Sequence, residues 1–349
     1  MRPIFISMVC ASSFFTCFAV AATTDDRQPL APLFQDQQAL PVTISGPLTT
    51  LVRERDKDNY LRGQFSFTDT DGAQKTLELR MRTRGNFRHR ECDYPPIYLN
   101  FKKSETRGTL LDGQNKLKLV IHCRKSSRYE QTVLREYLAY RMLSTLTDLS
   151  FRARLLHVSY VNDERDGSGQ QRYAFLIEHK KRFSERVGLD SIAVERTSVD
   201  SLQPDQLNLT SVFAFMIGNT DFSPIAGPPG SMCCHNYVLF GDGEGPILPV
   251  TYDFDQSGFV DAPYAQPDPR FRIRSVKQRV YRGRCANNEY LAGSLARFRD
   301  AKDDLYTLVR EQEGLEDGVR KSLIWYMDAF YAIINDPRQV ERKMIDKCV

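Results

Sequence analysis

The residues best suited to chemistry lie between Ile217 and Gly258. An apolar segment ends at Gly218 and is followed by Asn219-Thr220-Asp221. His235-Asn236 opens a second stretch, and Pro249-Val250-Thr251-Tyr252 runs into Asp253-Phe254-Asp255-Gln256-Ser257-Gly258. An apolar helix and an apolar strand thus both end in acids. Asp253 and Asp255 lie two apart on a segment read as extended, which turns both carboxylates to one side. Asn236 opens the intervening hairpin, where its amide can join them. Carboxylates and an amide gathered at strand ends suit a hard cation such as Mg2+, which keeps waters and bridges carboxylate to substrate phosphate. The plainer reading makes Asp253 a cap for the segment that follows.

The elements around these residues set what they can do. Alternating apolar and polar positions predict strands at Val42–Ile44, Leu61–Phe67, Thr76–Met81, Ile97–Phe101 and Lys116–Ile121. Leu77, Leu79 and Met81 alternate with Glu78, Arg80 and Arg82, so one face is apolar and the other charged. From Glu130 to Leu146 the period changes: Leu134, Leu138, Met142 and Leu146 repeat every four residues, as on an amphipathic helix. Strands at Leu155–Val161 and Arg172–Ile177 follow, joined by the turn Asp166-Gly167-Ser168-Gly169. Beyond Glu178 the pattern turns helical, at Pro204–Gly218 and again near Glu316–Ile334, with two short strands at Asn236–Phe240 and Ile247–Tyr252. The fold class is therefore α+β, with a sheet-rich half over 41–178 and a helix-rich half over 179–349.

Lys116 and Lys118 share a strand face ahead of the long helix, and Glu136, among apolar neighbours on that helix, is a candidate partner for one of them, with Glu130 at the helix start. Solvation of that strand face is the alternative. Arg80, Arg82, Arg84, Arg88 and Arg90 form a basic run that either binds phosphate through paired N–H groups or faces water. The order of acid, Asn, strand and Asp-x-Asp is that of phosphoryl transferases, where the first Asp serves the attacking hydroxyl and the later residues hold metal.

Composition bounds the rest. The chain has 349 residues, 41% hydrophobic and 26% charged, with a formal net charge of +4. That argues for a cored globular protein and against disorder, and the small excess of charge gives no reason to expect nucleic acid. Residues 1–22 read as a secretory signal peptide: Arg2, an uncharged apolar run, and Ala19-Val20-Ala21 before a polar segment. Residues 23–40 read as a flexible leader. Cleavage would leave Cys92, Cys123, Cys233, Cys234, Cys285 and Cys348 in an oxidising compartment, periplasmic or outside the cell, where an even number reads as disulfides. Cys92 and Cys123 flank predicted strands and are a plausible pair. A metal site at Cys233-Cys234-His235 is the minor alternative, because zinc favours spaced cysteines. No later stretch is apolar enough to span a membrane.

Asn219-Thr220-Asp221, His235-Asn236 and Tyr252-Asp253-Phe254-Asp255 with Gly258 together resemble the spore-coat CotH kinase family. Arg84-Gly85-Asn86 is similar to that family's Arg-Gly-Asn, and Tyr173–Glu178 to the strand and acid that lead to its interlobe hinge. The likeness runs over about residues 75–260. It implies a bilobal kinase-like fold with an antiparallel-sheet N-lobe, one long helix and a mainly helical C-lobe. It implies Asp221 as catalytic acid/base and Asn236, Asp253 and Asp255 as ligands of Mg2+ or Mn2+. ATP would be held by Lys116 or Lys118 with Glu136 and Arg84, and its phosphate moved to a protein or small-molecule hydroxyl. Two further functions compete. The long loop between Asp221 and Asn236 and the lack of a Gly-rich phosphate loop favour a non-catalytic envelope scaffold. Three acids around an ion would also serve a metal-dependent hydrolase.

Overall fold

A computed structural model describes residues 29–165 and 169–349. The predicted signal peptide and residues 166–168 of the predicted turn lie outside the described residues. Seven strands form a closed barrel: β1 (Leu40–Gly46), β2 (Leu61–Thr68), β3 (Gln74–Thr83), β4 (Ile97–Phe101), β5 (Lys116–Val120), β6 (Ala153–Asn162) and β7 (Gln170–Ile177). Around the barrel the order is β1-β2-β3-β4-β5-β7-β6. Every neighbouring pair is antiparallel except β1 and β6, which close the barrel in parallel from Leu40↔Leu156 to Gly46↔Asn162.

This closure overturns the bilobal kinase-like fold with an open antiparallel-sheet N-lobe. The physical reason lies in what alternation encodes. It states that each strand has one apolar face, and an open sheet and a barrel lumen satisfy that equally. The pairing of residues 40–46 with residues 156–162 leaves no local mark in the sequence.

Three short helices sit in the barrel's connections: α1 (Leu48–Glu54), α2 (Phe87–Glu91) and α3 (Lys103–Thr106). The long α4 (Ser127–Leu146) links β5 to β6. Beyond the barrel come α5 (Lys180–Val187), β8 (Asp190–Ile192), α6 (Pro204–Ile217), β9 (Tyr237–Gly241) and β10 (Leu248–Thr251). The chain ends with α7 (Leu291–Asp300), α8 (Lys302–Glu311), α9 (Asp317–Ile334) and α10 (Pro337–Lys343). Strands β10, β9 and β8 form a small separate sheet.

Two cores follow from the two faces of the barrel wall. Phe65, Leu79, Met81, Leu99, Leu117 and Leu119 fill the lumen. Val120, Leu155 and Phe175 face outward and join α4, α6 and the C-terminal helices in a larger core. The Tyr137 and Tyr140 rings of α4 pack on Phe175 with centroids 5.9 and 5.6 Å apart. Helix α4 therefore lies on the outside of the β5–β7 wall, and its Leu134, Leu138, Met142 and Leu146 are all buried. Leu33 and Phe34, within the stretch read as a flexible leader, are buried against the barrel, and Asp36 pairs with Arg154 at 2.9 Å.

The cysteines pair as Cys92–Cys123, Cys233–Cys234 and Cys285–Cys348. The first has Cα atoms 4.7 Å apart and ties α2 to the exit of β5. Cross-linking stabilises mainly by restricting the unfolded chain, and it grows with the loop closed. The double replacement Cys92→Ala/Cys123→Ala should therefore lower unfolding stability by about 2–4 kcal/mol. Denaturant titration against the oxidised wild type reads this directly.

Candidate active site

Helix α6 ends where Gly218 adopts a left-handed φ of 65°. The turn after it is held from two sides. The Asn219 side-chain oxygen accepts from Asp221 N at 2.9 Å. The Arg282 guanidinium donates to the carbonyls of Thr220 and Phe222 at 2.8 and 2.7 Å. The long loop that follows returns through backbone bonds between Ser223 and His235 at 2.9 and 3.1 Å. It is therefore a closed excursion, and Cys233 and Cys234 bond to each other within it. Its return brings His235 Nε2 to 2.6 Å from Asp221 Oδ1. Asn236 Nδ2 donates to the Asp221 carbonyl at 2.6 Å and to Oδ2 at 3.1 Å. Asp221 and Asn236, fifteen positions apart, thus touch.

Strand β10 stops at Thr251, before the acids. Asp253 sits at a left-handed φ of 65°, so the extended segment expected for Asp253 and Asp255 is a turn instead. The turn is positioned by Gly258, whose N–H donates to the Gly218 carbonyl at 3.1 Å. A Cβ there would crowd the backbone of Val276 and Lys277, which is why this position needs glycine. From α4, the Tyr140 hydroxyl accepts from Asp253 N at 2.9 Å. Asp255 is 5% exposed, and its Oδ2 accepts from the Tyr264 hydroxyl at 3.0 Å.

Burial, and then the neighbouring charge of Asp253, push Asp255 up to about 7. Burial also raises Glu136 well above the usual carboxylate range, although the adjacent Arg88 opposes the shift. Arg88 Nη1 lies 3.5 Å from Glu136 Oε2, and Arg88 also donates to the Ile121 carbonyl. Burial works against the Arg88 charge, but Tyr264, Glu136, Asp255 and Asp253 outweigh it and raise the pKa. Burial lowers Arg84, with Asp253 as the chief opposing charge. Lys118 falls to about 8 through burial and then the nearby Arg84, and again Asp253 opposes. Its Nζ lies 4.6 Å from the centre of the Tyr252 ring. The hydrogen bond to Asp221 raises His235.

Asp221 and Asn236 thus touch, the Asn236 carbonyl accepts from Tyr252 N at 3.0 Å, and the charges of Asp253, Asp255, Arg84, Glu136 and Lys118 act on one another on the outer side of the barrel wall. Beside them lies a cavity of about 410 Å³ lined by Lys118, Tyr252, Tyr98, Val238 and the segment from Glu178 to Lys180. Other expectations fail. Lys116 is exposed at the start of β5 and takes no part in the cluster. The ion pair of Glu136 is with Arg88, not with a lysine, because α2 carries Arg88 back over α4. Glu178 is engaged by Arg186 at 2.9 Å. The basic run divides: Arg80 and Arg90 are exposed, Arg88 is buried, and Arg84 is half-buried with its Nε out of solvent.

Sequence reasoning weighed His235 only as a metal ligand beside Cys233 and Cys234, missed Tyr140 and Tyr264, and left Arg88 open between phosphate and water. The pairing of His235 with Asp221 had a signal, since His235 directly precedes Asn236. Nothing local marks Tyr140 or Tyr264, which arrive from α4 and from a loop.

Among the described residues, no three His, Cys, Asp or Glu side chains are grouped as ligands of one ion. The donor set fits a hard cation that relies on water and phosphate for its remaining ligands: two carboxylates and one amide oxygen. Asn236 directs its nitrogen at Asp221, which leaves Oδ1 for such a role. The crowding of Asp253 against buried Asp255 would be relieved by positive charge there. No protein-family model matches the sequence, and no curated protein matches it significantly. No helix among the described residues is long and apolar enough to cross a membrane.

Proposed function

We propose that the chain is an exported phosphotransferase that moves the γ-phosphate of ATP to a hydroxyl of a protein or small molecule. The observation that carries this reading is that Asp253 and Asp255 lie within reach of each other's charge and of Arg84 and Lys118, next to the touching pair Asp221 and Asn236, with Lys118 lining the 410 Å³ cavity. The CotH-like order of these residues supports it, and the reading rests on the site rather than on any likeness of fold. Export is supported by the N-terminal pattern and by the paired cysteines.

Each residue has a task in such a reaction. Lys118 and Arg84 bind phosphate oxygens. Asp253, Asp255 and the Asn236 amide would hold a divalent cation, Mg2+ or Mn2+, which when bound neutralises phosphate charge. Asp221 takes the proton of the acceptor hydroxyl, whose oxygen bonds to the γ-phosphorus as the bond to the β,γ-bridging oxygen breaks and ADP leaves. His235, donating to Asp221 Oδ1, fixes the carboxylate and balances its charge. Positioning and electrostatics supply most of the rate in phosphoryl transfer. Incubation of the full chain with γ-labelled ATP, Mn2+ and hydroxyl-bearing acceptors should give label transfer. Release of labelled phosphate alone would instead favour hydrolysis, which the Asp221–His235 pair also serves.

Lys118 provides a pH signature. Its pKa is lowered to about 8, so its charge is present at neutral pH and lost as pH rises through that value. Nucleotide affinity should therefore fall between about pH 7 and 9.5, and binding near pH 8 should take up a proton. Lys118→Met should weaken binding about tenfold at pH 7 and flatten the profile. Titration calorimetry in two buffers of different ionisation heat reads both effects.

A further inference from the structure

Adjacent residues of β5 face different spaces. Lys118 faces the acids, while Leu117 and Leu119 face the lumen. One end of the lumen contains a second cavity of about 660 Å³. Its walls are apolar, formed by Ile44, Met81, Leu99, Leu119 and Ile121, with Leu48 to Arg53 of α1 across it. That size falls within the range of small-molecule sites, about 300–1,000 Å³.

Two polar groups in this cavity have no hydrogen-bond partner among the described residues. His122 is 5% exposed, yet neither ring nitrogen has a hydrogen-bond partner among the described residues. The Tyr160 hydroxyl is buried and equally unpartnered, and the two ring centres are 6.5 Å apart. An unpaired buried polar group costs on the order of tenfold in an equilibrium constant, so both favour an occupant that satisfies them. Burial, then the nearby Arg172 and Arg88, lower His122 to about 4. The imidazole is therefore neutral at physiological pH, with one nitrogen donating and one accepting. The Tyr160 hydroxyl likewise donates and accepts. An uncharged hydroxyl or amide complements all of these groups. A carboxylate head gains little here, because the two cations that act on His122, Arg172 and Arg88, are already paired with Glu130 at 3.1 Å and Glu136 at 3.5 Å, while Arg53 and Arg165 stand at the exposed edge of the cavity.

We infer that the barrel lumen binds an uncharged amphiphile, its apolar body between β1, β3, β4 and β5 and its hydroxyl or amide head on His122 and Tyr160. The site lies across the barrel wall from the phosphotransferase residues and stands independently of that reading.

The test uses the full chain and the neutral fluorophore 1-aminoanthracene, followed by displacement. Saturable binding at one site is expected. Decan-1-ol should displace the probe, decanoate at least about tenfold less well, and ATP not at all. Leu99→Trp, which fills the lumen, should abolish binding. His122→Leu should weaken decan-1-ol about tenfold and serves as the deciding variant if Leu99→Trp does not fold. Absence of saturable binding would overturn the inference, as would displacement by ATP, equal competition by decanoate, or unchanged decan-1-ol affinity in His122→Leu.

Discussion

Asp221→Asn should reduce turnover by about 10²–10⁴-fold while leaving nucleotide affinity within about twofold. The asymmetry follows from what Asp221 touches. Its carboxylate contacts His235 and Asn236 and no residue that lines the cavity beside Lys118. Replacement by the isosteric amide keeps the bond from Asn236 Nδ2 to the residue's own carbonyl, so the loop should hold its shape. What is lost is the proton acceptor. A second readout separates this from mere misfolding. The Asp221 bond raises the pKa of His235, so in the variant His235 should titrate at lower pH, observable by NMR. Unchanged turnover in Asp221→Asn would remove Asp221 from the mechanism.

Arg88→Met should lower folding stability by about 3–5 kcal/mol, the cost of stranding buried charge. Arg88 is the ion partner of Glu136, which is 1% exposed, and it also faces Asp255. Both carboxyls already lie above their usual range. Without the guanidinium they would rise further. A carboxyl whose folded value exceeds its unfolded value binds more protons when folded, so the stability of the variant should fall as pH rises. The deficit against wild type should accordingly be larger at pH 8 than at pH 5. Arg88→Met/Glu136→Leu should recover much of it, because the double replacement removes the unpaired acid as well. Chemical denaturation of the four proteins at two pH values completes the cycle. A single-variant cost under about 1 kcal/mol, independent of pH, would show that Arg88 does not compensate these acids.

How much the sequence disclosed depended on the range of the interaction. Strand β4 was legible to the residue, because Ile97–Phe101 alternates between flanking turns. Helix α4 was legible from Leu134, Leu138, Met142 and Leu146, which all face the core. Barrel closure was not, since it joins residues 40–46 to residues 156–162 and both segments would look the same in an open sheet. The candidate site divides the same way. Asp221, Asn236, Asp253 and Asp255 were singled out by order and spacing. The geometry that unites them differs from the one expected, because Asp253 occupies a left-handed turn rather than an extended strand. Pairing of Glu136 with Arg88 and of Asp255 with Tyr264 depends on how α2 and the loop after Gly258 fold over α4. Charge type alone could not choose among Lys116, Lys118 and Arg88 for that glutamate.

The most direct measurement is titration calorimetry of the purified chain with ATP in the presence of Mg2+ or Mn2+, wild type against Asp253→Ala. Asp253 lies among Lys118, Arg84, Arg88 and Asp255, so the phosphate-binding and metal-holding tasks proposed for the site both involve its position. Metal-dependent binding heat in the wild type, lost in Asp253→Ala with its fold intact by circular dichroism, is the predicted result. Absence of metal-dependent heat in the wild type, or equal heat in both proteins, would contradict a nucleotide and metal site at these residues.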